Sequence, residues 1–299
     1  MFHALKSLLT CNSVHFKAGA VALVASGCLA GAVDAQTLNY WSWEGEDGQP
    51  NSSGTWWEDK AGNNAMRATD GTLTRLELPA EGPGAAFPNP IPNPDGNFND
   101  SEVNQWGINA SAGRIRTFSS GTAFSRDSFT IETFFNANDV EGAHHLLASR
   151  WHGDQFRAGV RDGALTMSLY HPETGDFVSD HTINNSSLQV SADVDYYVAF
   201  AVSTGENEED RFIDFYLQDL TNGGPLQHER VSIWEGFESL FPGDPNLAMY
   251  VGWDYSFPAI GDVRYSDGVL DQSQLLIPEP GSSALLLGGL ALMLGRRRA

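Results

Sequence analysis

Cysteine is nearly absent from this chain. Its 299 residues contain two, Cys11 and Cys28, both upstream of residue 36. The 241 residues from 36 to 276 therefore have no disulfide to hold them. A segment of that size can stand on its own core and fits one larger all-β domain or two small ones. Positive charge is scarce as well. Lys and Arg number 17 against 38 Asp and Glu, for a formal net charge of −21, and within residues 36–276 the balance is 12 − 36 = −24. Such a field disfavours nucleic acid and anionic lipid and favours solubility or cation binding. Nucleophile and metal-hydrolase motifs are missing too. His228-Glu229 opens a His-Glu-x-x-His pattern but meets Ser232, and there is no Gly-x-Ser-x-Gly and no phosphate loop. No repeat of fixed period is present, which argues against a solenoid or propeller.

What remains is a chain of short alternating segments separated by Gly, Pro, Asn and Asp, an all-β pattern. Between 129 and 137, Phe129, Ile131, Thr133 and Phe135 share one face by the two-residue period, with Thr130, Glu132, Phe134 and Asn136 opposite. The lone carboxylate of Glu132 is expected on the outer, exposed face. Strands are predicted at 38–43, 146–151, 155–160, 165–169, 195–203 and 212–220. Asp162-Gly163, flanked by Phe156-x-Ala158-x-Val160 and Leu165-x-Met167-x-Leu169, is the strongest hairpin signal in the chain. Residues 80–100 are too rich in Pro, Gly and Asn for a strand and read as a long loop decorating a single domain. His144 and His145 are adjacent, point to opposite faces of a strand, and cannot jointly hold one metal ion.

The two ends read as addresses. Lys6 and Lys17 precede an apolar stretch, residues 18–32, that ends in small residues, and Val33-x-Ala35 fits the cleavage rule of a helical secretory signal peptide, with cleavage between Ala35 and Gln36. A competing reading makes Ala25-Ser26-Gly27-Cys28 a lipoprotein box, although Ala25 stands where Leu is usual. At the other end Pro278-Glu279-Pro280 precedes fourteen small or apolar residues, 282–295, and then Arg296-Arg297-Arg298. That run is shorter than the roughly 20 residues of a comfortable span, and its arginines belong on the cytoplasmic side. Residues 277–299 closely resemble the PEP-CTERM sorting tail of exported bacterial proteins. The resemblance implies a short hydrophobic sorting helix, a transient inner-membrane anchor, processing by an exosortase-like enzyme, and release to the cell surface or extracellular matrix.

Five stretches in order resemble a second family. They are Asp59-Lys-Ala-Gly-Asn63, Phe129-Thr-Ile-Glu-Thr-Phe-Phe135, Leu146-Leu-Ala-Ser-Arg-Trp151 with Gly159-Val-Arg-Asp-Gly163, Tyr196-Tyr-Val-Ala-Phe200, and the closing Asp262-Val-Arg-Tyr265 followed by Leu270. Together they are similar to laminin-G-like, concanavalin A-like domains. The resemblance implies a two-sheet antiparallel jelly roll over residues 36–276, ending just before the tail.

Glucanases share that architecture, so catalysis must be weighed. The Glu-x-Asp-x-x-Glu that sets two carboxylates about 5 Å apart in retaining enzymes is absent, because Glu208-x-Asp210 reaches Ile213. The expected body is therefore a non-catalytic exported domain that binds a glycan or matrix polymer. A polysaccharide hydrolase or lyase with an unrecognised site is the alternative, and a structural envelope component without a specific ligand is a third reading. Candidate stacking residues are Trp56, Trp57, Trp151, Trp234 and Trp253. Burial is the default for Trp, but Trp56 and Trp57 cannot both face one core, so one of them is expected at a rim. Laminin-G-like domains often hold Ca²⁺ at the sandwich rim, and hard cations take oxygen ligands from loops. The candidates here are Asp95, Asn97, Asn99 and Asp100 in one loop, and Asp254 with Asp262.

Overall fold

The computed structural model describes residues 36–44, 56–71, 73–89, 91, 104–111, 113–117, 124, 126–150, 155–170, 181–205, 207–233, 248–253 and 256–277. The expected signal peptide with Ala35, the expected sorting tail from Pro278, and both expected terminal helices lie outside them. Among the described residues no helix is long and apolar enough to cross a membrane.

The described chain is built of β-strands. The first four are β1 (Thr37–Trp41), β2 (Trp56–Trp57), β3 (Met66–Gly71) and β4 (Thr74–Glu77). Then come β5 (Trp106–Asn109), β6 (Gly113–Thr117), β7 (Ser128–Asn136) and β8 (Ala143–Arg150). The middle of the chain gives β9 (Phe156–Arg161), β10 (Ala164–Tyr170), β11 (His181–Gln189) and β12 (Asp195–Thr204). The last four are β13 (Arg211–Asp219), β14 (Gln227–Ser232), β15 (Ala248–Val251) and β16 (Ala259–Asp267).

They form two antiparallel sheets. The first runs β14-β13-β12-β7-β16-β5-β4, with β1 also on β16, and the second runs β11-β10-β9-β8-β15-β6-β3-β2. β5 and β1 divide one edge of β16: β5 pairs at Ile260, and β1 pairs with residues 263–266. Alternation sends Phe129, Ile131 and Phe135 from β7, Val198, Phe200 and Val202 from β12, and Phe156, Ala158 and Val160 from β9 into one shared core. The Phe129 and Phe156 rings stack at 4.9 Å between the sheets, so the sheets pack face to face as a sandwich. Its centre is buried apolar area with side chains from both layers.

The first sheet is buried on its far face too, which strand alternation alone does not foresee. Phe134, Tyr197, Ala199, Ala201 and Tyr216 join Phe87, Ile91, Leu270, Leu275 and Leu276 in a second apolar cluster. The described part of the 80–100 segment is not strand, as expected, but it closes over that face instead of decorating it. The Asp195 carboxylate accepts the backbone N–H groups of Gly84 at 2.8 Å and Ala86 at 2.9 Å, and Gly84 takes a φ of +86° that a side chain would resist. The Asp162-Gly163 hairpin forms between β9 and β10. Its central residues have φ of 48° and 80°, the two left-handed conformations that a type I′ turn requires.

Candidate binding face

The outward face of the second sheet gathers the features a ligand-binding surface needs, and the strand register shows how. Ile115 of β6 and Phe156, Ala158 and Val160 of β9 point into the core, so the residues between them point out. One lateral line crosses all eight strands of the sheet through directly paired positions. It reads Ile183, Ser168, Arg157, Ala148, Tyr250, Arg116, Arg67 and Trp56. Seven inter-strand steps of roughly 4.8 Å make it about 34 Å long.

Aromatic rings brace the cations on this face. The Arg114 guanidinium lies over the Trp253 ring at 4.0 Å, and Arg157 lies over Tyr170 at 5.5 Å. Arg116 Nη1 donates to the Tyr250 hydroxyl at 3.2 Å, and Tyr250 meets Trp253 edge-on at 4.7 Å. Tyr250 itself is 4% exposed, so it is a buried prop, while Trp253 and the arginines are partly exposed. Guanidinium stacked on a ring is held in one plane, which fixes the directions in which its donors face. Among the described side chains of these strands there is no carboxylate.

The sequence candidates distribute unevenly over the fold. Trp253 falls on this face. Trp57 does not: it is 3% exposed and packs edge-to-face on Trp43 at 5.5 Å, which makes it a core side chain and corrects its place among the stacking residues. Trp56 lies on β2 at the end of the lateral line. Trp151 and Trp234 lie outside the described residues, as do Asp95, Asn97, Asn99, Asp100 and Asp254. Asp262 is 1% exposed and accepts the Tyr40 hydroxyl, so it serves the interior under β1 rather than a rim. Among the described residues no group of three or more His, Cys, Asp or Glu converges on one point. The arginines were missed in the sequence. Their signal was present, since Gly113-Arg-Ile-Arg-Thr117 and Phe156-Arg-Ala-Gly-Val-Arg161 alternate cation with apolar or small residues at the strand period.

Three carboxylates elsewhere, Glu132, Asp214 and Glu44, are engaged structurally. Glu132, expected to be exposed, is fully buried. Its oxygens take Arg264 Nη2 at 2.5 Å and Nε at 2.6 Å, the Tyr197 hydroxyl at 2.5 Å and the Leu276 N–H at 2.9 Å. Burial, and then the Glu132 charge, push the Tyr197 phenol well above its ordinary range, so it stays a proton donor. Asp214 accepts from Arg230 at 2.6 and 2.7 Å and from His228 at 2.8 Å. Burial opposes its charge, but these hydrogen bonds outweigh burial and hold its carboxyl below the usual range. The Glu44 carboxylate accepts the N–H groups of Gln105 at 2.5 Å and Trp106 at 2.7 Å. Burial pushes its pKa up against those bonds and against Arg75 and Lys60. His144 is tied to the Glu141 carbonyl at 2.6 Å and to Ser256 Oγ at 2.8 Å.

No protein family matches the chain, and no curated protein does. Among solved structures it is similar to domain 4 of AbnA, an extracellular GH43 arabinanase from Geobacillus stearothermophilus solved with arabinotriose. The identity is 14% over 80% of this chain and 96% of that one, with a TM-score of 0.46. It is also similar to the receptor binding domain of botulinum neurotoxin mosaic serotype C/D, at 11% identity and a TM-score of 0.46, covering 79% of this chain and 48% of the toxin chain. A third likeness, at 10% identity and a TM-score of 0.40, is to a carbohydrate esterase from the Shiga toxin-encoding bacteriophage phi24B, over 78% of this chain and 99% of that one.

Proposed function

We propose that the body is a jelly roll of the laminin-G-like kind that binds a glycan or matrix polymer without catalysis. It would be exported through its signal peptide, anchored briefly in the inner membrane by residues 277–299, processed by an exosortase-like enzyme, and left at the cell surface or in the matrix. The observation that carries the binding reading is the partly exposed Trp253 beside ring-braced arginines on the outward face of the second sheet, where no described side chain of the strands is a carboxylate. The resemblance of Pro278-Glu279-Pro280 and the arginine cluster to a PEP-CTERM tail supports the route.

A panel of soluble polysaccharides tests the activity. Binding without new reducing ends or unsaturated products is the expected result, and turnover abolished by replacing one carboxylate would make the protein a hydrolase or lyase. Trp253→Ala should weaken binding at least tenfold, about 1.4 kcal/mol, with the thermal melt unchanged. Unaltered binding would remove this face from the function, and binding to no polymer at all would leave the structural-component reading. The proposal extends to Ca²⁺ in the 95–100 loop, which predicts a melting temperature raised by the ion and lowered again by chelator. No shift would remove the ion.

A further inference from the structure

An edge strand carries a row of backbone N–H and C=O groups without partners, a template on which another strand can pair. At one end of this sandwich the edge strands β14 and β11 are tied together: the Glu229 carboxylate accepts the Ser187 N–H at 2.5 Å and the Ser187 hydroxyl at 2.9 Å. At the other end β4 is the last strand of the first sheet and, among the described residues, pairs only with β5. The phase of that pairing decides which groups face off the edge. Leu78 N–H donates to the Gln105 carbonyl at 2.7 Å, so positions 74, 76 and 78 are the ones that exchange hydrogen bonds with β5. The N–H and C=O groups of Arg75 and Glu77 therefore point the other way, away from the sheet. Their side chains carry opposite charge and have no hydrogen-bond partner among the described residues. Arg75 lies over the Trp106 ring at 4.0 Å, its Nε buried, with the Glu44 charge nearby, and Glu77 is exposed.

We infer that two copies of this chain pair through β4, edge to edge and antiparallel, about a two-fold axis at Leu76, joining their first sheets into one. Outward backbone groups must meet outward groups, so Arg75 can stand opposite Arg75, Glu77 opposite Glu77, or Arg75 opposite Glu77. The first two registers set like charges face to face, which destabilises a sheet, whereas the third sets a guanidinium against a carboxylate on both sides of the axis. Only the third satisfies backbone and charge together. Each Arg75–Glu77 pair then exchanges both of its backbone hydrogen bonds. On the axis Leu76 meets the partner's Leu76 across a non-hydrogen-bonded pair, where side chains come closest, and the contact extends the far-face cluster that Leu76 already joins. Pro79, just past the strand, has no N–H to donate and stops the ladder there. So short a contact makes a weak, concentration-dependent dimer. Because paired residues share a face, both copies turn their second sheets to the same side, and a polymer bound there meets two Trp253 faces at once. The pairing itself does not depend on that ligand.

Analytical ultracentrifugation of the purified full chain, up to about 1 mM protein and without polysaccharide, tests the inference against charge variants of the edge. Wild type should show a concentration-dependent dimer. Arg75→Glu and Glu77→Arg should each weaken it about tenfold or more, because each turns two attractive pairs into repulsive ones. The Arg75→Glu/Glu77→Arg double variant should dimerise like wild type, and a mixture of the two single variants should form a heterodimer, since both restore opposite charges across the axis. A monomer at every concentration overturns the inference and leaves glycan binding standing. Self-association that both single variants share with wild type also overturns it, placing the contact elsewhere in the chain, such as the apolar run at 282–295. Loss in the single variants with no recovery in the charge swap or the mixture refutes the register and with it the proposal. Should Arg75→Glu not fold, Glu77→Arg and Glu77→Pro decide. The second removes an outward N–H that β5 does not use, and a dimer undiminished in either variant refutes the pairing.

Discussion

Glu132 shows how a residue expected in water becomes a buried, ion-paired acid of the interior. It is 0% exposed and Arg264 is 1% exposed, and the segment after β16 seals the pair from above, with Arg264 Nη2 donating to the Gln274 carbonyl. Removing one partner of such a pair strands a buried charge, whereas removing both with apolar replacements does not. Glu132→Ala should therefore cost about 3–5 kcal/mol in urea denaturation, and Glu132→Leu/Arg264→Met should recover most of it. A loss in the double variant as large as in the single one would mean that the ion pair itself supplies the stability. Asp214 makes the opposite case, a buried carboxylate with two half-exposed partners. Its folded pKa is depressed, so its contribution is present above the unfolded value near 3.9 and is lost as pH falls through the lower folded value. Asp214→Asn should lower stability by about 1 kcal/mol at neutral pH, the modest figure reflecting solvent screening of Arg230 and His228. In acid titration followed by circular dichroism, the gap from wild type should close as pH passes below that window. A gap that widens instead would contradict the assignment.

At the scale of elements, two turns set the registers on which the site depends. The Asp162-Gly163 turn aligns β9 with β10 and so places Arg157 opposite Ser168. Gly163→Ala should cost about 1 kcal/mol because a Cβ resists a φ of 80°, while Asp162→Asn should be neutral, since Asn accepts the left-handed region. Thermal melts compare the two directly, and equal losses would argue against a type I′ turn. The Asp59 turn is the second. Its carboxylate collects the N–H groups of Tyr40, Ala61, Gly62 and Asn64 and the Asn39 side chain, tying the 59–64 turn to β1. The hairpin was legible from Asp-Gly between alternating segments, because a two-residue turn is decided by its own φ angles. The pairing of β6 with β3 and β15 was not, because it joins positions far apart in sequence that carry no local mark of each other.

For the whole molecule, the stretch between β16 and the tail belongs to the fold. Leu275 and Leu276 are buried on the far face of the first sheet, and Leu276 N–H reaches Glu132. A chain ending at Ile277 should melt like the longer one, whereas a chain ending at Leu270 should lose about 4 kcal/mol or more through two buried leucines and a reopened ion pair. Equal melting of the two would detach this segment from the core. Composition, alternation and the Asp-Gly turn were enough to specify an all-β chain with an apolar face on each predicted strand, since those properties depend on neighbours two to four residues away. Which face meets the other sheet, that Glu132 and Asp262 lie inside, that Trp57 is core, and that scattered arginines from β3, β6 and β9 converge on one face were decided only when the sheets closed. Burial and convergence depend on contacts between segments that are not neighbours in sequence, as Glu132 is with Arg264 and Tyr40 with Asp262, and strand periodicity records which way a side chain points but not what will stand opposite it.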